Sequence, residues 1–259
     1  MENKQYWEQR ALQLEEKVDL TSRQLNNRFK KMFKKSEIEL QSKIDKLYRK
    51  YATDMQMDLV EAHKLIEGSF FKEWRMSIGG YVKELKKTGN KKLYTELETL
   101  ATRSRISRLD AILSEVRAET SLLYSDNLPL LSETLENTYK SSYYLNSYAI
   151  QHGTGIYYQI ATVDKKKMQR IMEYKNYGKN FSSRIWEHKE KLAKEVQTEI
   201  AQGFATSKDL KAVSKRISER YGVAYNNSTR LVNTENNFYM NQASLDSYKE
   251  ADVEQYQYI

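Results

Sequence analysis

A chain of 259 residues with a single proline, Pro129, and nine glycines has few places where it can turn. Sandwiches and barrels need a turn signal every ~8–12 residues, so the scarcity of breakers points away from them and toward long helices. The expected class is all-α, with a long N-terminal helix, a C-terminal helical unit and at most one or two short strands. Three regions are expected: a long basic helix over 1–53, a helical region over 54–152 and a C-terminal helical domain over 153–259.

The first region carries an unusual period. Trp7, Val18, Phe29, Leu40 and Tyr51 recur every eleven residues; Leu14, Leu25 and Leu47 keep the same interval, as do Ala11, Phe33 and Ile44. Eleven residues make three turns of about 3.67 residues, which gives a straight or slightly right-handed seam. The stripe is either the core face of a helix in its own bundle or an arm that packs on a partner subunit.

Charge is unevenly spread. Of the formal net +8, the segment from Arg23 to Lys50 holds ten basic and three acidic residues. Around Phe29 and Phe33, the residues Arg28, Lys30, Lys31, Lys34 and Lys35 supply cations, the four lysines on the opposite helical face. Asp164 to Arg220 has fifteen basic and eight acidic residues, opening with Lys165, Lys166 and Lys167, whereas Ala224 to Ile259 has two and five. Such faces suit double-stranded DNA bound through its phosphates, or serve only as solvated surface.

Between these regions the pattern is of shorter elements. Leu59, Ala62 and Ile66 precede Gly68, and Ser69 to Met76 reads as a capped aromatic helix around Trp74 before Gly79-Gly80. Leu93, Leu97 and Leu100 lead into Arg103-Ser-Arg-Ile-Ser-Arg108, where Arg103 and Arg105 could hold a phosphate or an acidic surface. Asp126-Asn-Leu-Pro129 reads as a helix start, with proline in the first turn. The helix it opens bears Tyr139, Tyr143, Tyr144 and Tyr148 and stops at His152-Gly-Thr-Gly155. Those tyrosines suit either an interface or a wet core. Ile156 to Val163 has the composition of a short strand, before a helix capped by Asp164.

Three amphipathic helices are expected next. Asn180 or Ser182 caps the first, with Ile185, Leu192, Val196 and Ile200 on one face and Gly203 as the left-handed residue beyond its end. Ser207 caps the second, which carries Leu210, Val213 and Ile217 and stops at Gly222; the third runs from about Tyr225 to Glu250, presenting Leu231, Phe238 and Leu245.

No catalytic, cofactor-binding or metal-binding constellation emerges. There is no cysteine, and His63, His152 and His188 lie too far apart in sequence for a zinc-hydrolase motif. No phosphate-cradling glycine loop or Gly-x-Ser-x-Gly elbow occurs. Glu235 is one carboxylate without a tuned second group, and pairing with Arg230 or another arginine makes it a structural lock. Nothing at the N-terminus reads as a signal peptide and no apolar run approaches the ~20 residues of a membrane span. A soluble binding protein, not an enzyme, is expected.

Six stretches resemble the minor head protein (head morphogenesis) family of tailed bacteriophages, the Mu F-like group. They are Tyr6-Trp-Glu-Gln-Arg10, Phe71-Lys-Glu-Trp-Arg-Met76, Arg103-Ser-Arg-Ile-Ser-Arg-Leu109, Ile150-Gln-His-Gly-Thr-Gly-Ile156, Lys179-Asn-Phe-Ser-Ser-Arg-Ile-Trp186 and Arg230-Leu-Val-Asn-Thr-Glu235. They keep the family order along nearly the whole chain. Motif residues are Trp7, Trp74, Arg103, Arg105, Trp186, Arg230, Thr234 and Glu235. The resemblance implies a low-copy component inside the virion head, associated with the portal protein during procapsid assembly in the host cytoplasm, without a membrane. It also implies contact with packaged double-stranded DNA, influence on packaging or ejection, and the major capsid or a scaffolding protein as a further partner. The alternative is a helical scaffold without nucleic-acid binding. Two departures stand out: Asn233 replaces the usual arginine before Thr234, and the family commonly continues past Ile259 into a segment with Asp, Arg and paired cysteines. Val253 to Ile259 then reads as a strand without its partner, as if the domain were shortened there; larger relatives carry enzymatic domains beyond.

Overall fold

The computed structural model describes residues 3–55, 104–175, 178–205 and 210–253. The elements expected between Met57 and Arg103, the motif residues Trp74 and Arg103, the Ser207 cap and the tail after Val253 lie outside them, as do the side chains of Leu47, Tyr51 and Arg105. Among the described residues every regular element is a helix: α1 (Asn3–Met55), α2 (Ser104–Thr154), α3 (Lys165–Met172), α4 (Phe181–Ala205) and α5 (Leu210–Glu250). The fold is all-α.

The chain divides into two compact units, the first formed by Met1–Lys31, Tyr124–His188 and Tyr225–Ile259, the second by Met32–Leu123 and Lys189–Ala224. In the first, α1 runs antiparallel to α2, with the Tyr6 hydroxyl donating to the Ala149 carbonyl at 3.0 Å. Leu14, Val18, Leu25 and Phe29 of α1, Leu131, Leu135, Tyr139 and Tyr143 of α2, and Val232, Tyr239 and Ala243 of α5 are buried. A polar layer crosses this core: Thr138 donates to Asn236 Oδ1 at 2.9 Å, and Asn236 Nδ2 donates to Ser22 at 2.8 Å. In the second unit Phe33, Leu40 and Ile44 lie in a core with Ile112, Val116, Leu192, Val196, Ile200, Val213, Ile217 and Tyr221. The eleven-residue stripe is therefore core of this chain. Ala11 is its exception, being exposed, and Trp7 is half-buried.

Several expected boundaries are overturned. Pro129 opens no helix but sits inside α2. A proline removes one backbone bond at a cost of ~3 kcal/mol. Burial of Tyr124, Leu131 and Leu135 on either side offsets it, each contributing about 1.5–3 kcal/mol. Likewise α5 does not stop at Gly222 but runs through it, because an interior glycine costs only about 1 kcal/mol and its neighbours Tyr221 and Ala224 are buried. Gly203 is not a left-handed residue past a helix end; it lies within α4, against Val213.

The caps fare better. Asn180 Oδ1 accepts from the Ser183 amide at 2.9 Å, and Asp164 from the Lys167 amide at 2.6 Å. Gly155, at φ +70°, ends α2 as a left-handed glycine, its amide donating to the Gln151 carbonyl. Ile156 to Val163 is not a strand but irregular backbone satisfied by side chains of α2. The Val163 amide donates to the Tyr144 hydroxyl at 3.0 Å, and the Gln151 side-chain amide to the Tyr158 carbonyl. Of the tyrosines, Tyr139 and Tyr143 belong to the core, whereas Tyr144 and Tyr148 are exposed.

Candidate functional site

Within the first unit, four of the six family-like stretches meet in pairs. The stretch around Tyr6 and Trp7 lies against the one around Gly153. A methyl group at Gly153 would fall 2.5 Å from Trp7 Cζ2 and 2.7 Å from Tyr6 Cε1, so only glycine lets the indole lie on that turn of α2. The stretches beginning at Lys179 and Arg230 are joined by Arg184, whose Nη1 lies 2.5 Å from Glu235 Oε1. Asn180 starts α4 one turn before Arg184, and α5 presents Glu235 from its buried face. Of the other motif residues, Arg230 and Thr234 are exposed, and Trp186 is on the surface side of α4. Asn233 accepts a hydrogen bond from Asn26 at 3.0 Å.

Glu235 is 3% exposed. Burial pushes its carboxyl above the usual range, and the Arg184 guanidinium only partly counters it. Tyr239, one turn further along α5, is raised by burial and then by the Glu235 charge. The guanidinium keeps its charge, and the pair acts as a lock between α4 and α5. Among the described residues no group of three or more His, Asp or Glu could hold a metal ion, and no helix is long and apolar enough to cross a membrane.

In the second unit Glu199 receives Arg216 Nη1 at 3.1 Å and Arg220 Nη2 at 2.6 Å. Burial alone would raise this carboxyl, but the hydrogen bonds from Arg220 and Arg216 hold it below its usual range. The two carboxylates therefore respond oppositely to pH. Glu199 contributes stability above the unfolded value of about 4.3, and that contribution is lost as pH falls through its lower folded value. Glu235 favours the folded state when protonated, a contribution lost as pH rises from about 4.3 through its raised folded value. In urea titrations across this acid range, the cost of Glu199→Gln is expected to grow with rising pH and that of Glu235→Gln to shrink. Parallel slopes would refute the assignment.

The basic residues singled out in the sequence lie on α1 and on α3. On α1, Arg28, Lys30, Lys31, Lys34 and Lys35 are all exposed; Lys34 pairs with Glu37 at 3.1 Å and Lys35 with Glu39 at 3.7 Å. Lys165 and Lys166 on α3 are exposed, whereas Lys167 is turned inward. Its Nζ lies 3.0 Å from Glu250 and 4.4 Å from the centre of the Tyr143 ring. The same Glu250 carboxylate accepts from the Tyr143 hydroxyl, and Tyr139 donates to Asp246 at 2.6 Å. Burial, followed by these carboxylates, pushes both phenols upward. Sequence reasoning missed this tyrosine–carboxylate cluster because its members lie about a hundred residues apart.

No protein-family model matches the sequence, and no solved structure matches it. Among curated proteins the chain is similar to NAD(+)--arginine ADP-ribosyltransferase EFV of Enterococcus faecalis (strain ATCC 700802 / V583). Identity is 23% over 192 residues, covering 71% of this chain and 37% of that protein. The chain thus spans little more than a third of the relative's length.

Proposed function

We propose that this chain is a phage minor head protein that works by binding, inside the virion near the portal protein, in procapsid assembly and in DNA packaging or ejection. The observation that carries the reading is the meeting of the family-like stretches. Tyr6 and Trp7 close on Gly153, and Arg184 reaches Glu235, so residues chosen for resemblance alone serve as packing contacts of one unit. The exposed cations of α1 supply the surface for double-stranded DNA. Co-expression with a portal protein, followed by pull-down, tests the partner; a complex that never forms removes the portal from the reading.

DNA binding is expected to be steeply salt-dependent. Five phosphate contacts from Arg28, Lys30, Lys31, Lys34 and Lys35 give a log–log slope of about −4.5, or several-hundred-fold weaker binding on going from ~50 to ~200 mM salt. Replacing all five by glutamine should flatten that slope in a mobility-shift titration. No duplex binding at low salt, together with stable self-association, would favour a helical scaffold without nucleic-acid binding.

The name of the enterococcal relative favours a second reading, in which the chain is part of a protein that transfers ADP-ribose from NAD(+) to arginine. That activity belongs to a protein of which this chain spans 37%. Under the binding reading, the chain incubated with NAD(+) and an arginine substrate leaves both unchanged; turnover abolished by Glu235→Gln would replace it.

A further inference from the structure

Helix α3 is held to its unit by Met168, which is buried, and by the Ile171 carbonyl, which accepts from the Tyr239 hydroxyl at 3.5 Å. Lys165, Lys166 and Arg170 remain exposed on its outer side. The Arg170 Nε donates to the Lys166 carbonyl at 3.4 Å, which lays the guanidinium along the helix. Among the described residues no carboxylate pairs with Lys165, Lys166, Arg170 or the nearby Lys175. Glu173, the one acidic residue of this stretch, instead accepts from Gln169 at 2.8 Å.

Directly after the helix stands Tyr174, 57% exposed. Its ring stacks on Phe238, centroids 5.7 Å apart and planes 16° from parallel. Phe238 stands edge-on to Tyr239 at 5.5 Å, and Tyr239 edge-on to Phe181 at 6.5 Å. One face of Tyr174 is thus set against a row of rings running into the core, while more than half of the residue stays exposed. A fixed open ring beside unpaired cations is the combination that binds single strands: bases stack on the ring and phosphates meet the cations. A base pair inside a duplex is stacked on both sides and has no face to offer.

We propose that α3 and Tyr174 form a binding site for single-stranded nucleic acid, with a base on the open face of Tyr174 and neighbouring phosphates on Lys165, Lys166 and Arg170. Resting on the reading that the protein meets nucleic acid, the site adds a class of ligand that the α1 surface would not select. Lys167 takes no part, since it is held by Glu250.

The test uses the full chain with fluorescently labelled oligo-dT and a labelled duplex of equal length, at low salt. Tyr174→Leu keeps an apolar cover over Phe238 but removes the aromatic face. It is expected to weaken oligo-dT binding about five- to hundredfold and leave duplex binding unchanged, while Tyr174→Phe binds as the parent does. Circular-dichroism melting checks that both variants fold. Duplex bound while oligo-dT is ignored, or oligo-dT bound equally by Tyr174→Leu, overturns the stacking site and leaves the α1 surface standing. Equal losses for both ligands overturn it too, and binding of neither ligand by the parent chain removes both readings.

Discussion

Arg184→Ala is expected to cost about 3–5 kcal/mol of stability at neutral pH, because it leaves a buried carboxylate without its counter-ion. Glu235 is 3% exposed and takes its ion pair from Arg184 at 2.5 Å. Arg184 itself is 20% exposed at the side chain, so the reverse loss is gentler: Glu235→Gln leaves a guanidinium that water still reaches. The asymmetry carries a pH signature. Burial already raises the Glu235 carboxyl, so in Arg184→Ala the group takes a proton on mild acidification and the penalty shrinks. The double variant Arg184→Met with Glu235→Leu removes both charges and should recover most of the loss, since well-packed apolar replacements of buried pairs are commonly neutral. Urea unfolding at two pH values measures all of this. A loss below about 0.5 kcal/mol for Arg184→Ala would show that the pair is no lock.

The sequence made the helical class legible through what it lacks, turn residues, and made α1 legible through what it repeats. Positions Val18, Phe29 and Leu40 needed no partner to be recognised, because α1 buries one continuous apolar stripe. Helix α5 was harder. Its buried face runs through Ser228, Val232, Asn236, Tyr239, Ala243 and Ser247, four of the six small or polar, while the apolar triplet Leu231, Phe238 and Leu245 lies toward the edge of that face. Two of the polar members bond across helices, Asn236 to Ser22 and Thr138, and Ser247 to the Tyr143 carbonyl. A hydrophobic period cannot reveal a core satisfied that way.

Breakers misled for a related reason. Pro129 and Gly222 mark helix ends when local energies decide, but the burial flanking each residue outweighs a local cost of about 1–3 kcal/mol. The lock was half legible: an arginine for Glu235 was expected, and Arg230 lies close in sequence. The structure gives the place to Arg184, 51 residues away on another helix. Spacing rules such as i to i+4 say nothing about pairs made by packing. The same limit hid Lys167, which reads as one of three surface lysines until Glu250 is brought beside it.

Two glycines of the second unit should answer the same substitution with opposite signs. Both lie inside helices, where alanine gains about 0.5–1 kcal/mol over glycine from the unfolded chain's lost freedom. At Gly222 an added methyl meets nothing within 4 Å, so that gain is all that happens, and Gly222→Ala is expected to stabilise by that amount. At Gly203 the methyl would fall inside contact distance of Val213 Cγ2 and 3.5 Å from both Cβ and Cγ1. Val213 is buried and β-branched, so it has no flexible end to swing away and a stiff first torsion. Overpacking of this sort costs about 1–3 kcal/mol, which outweighs the helical gain. Gly203→Ala should therefore lower the urea midpoint while Gly222→Ala raises it, and Val213→Ala combined with Gly203→Ala should lose less than the two single changes summed, since the alanine methyl fills part of the space the valine leaves. If both alanines stabilise equally, α4 and the start of α5 do not pack as closely at Gly203 as their geometry requires.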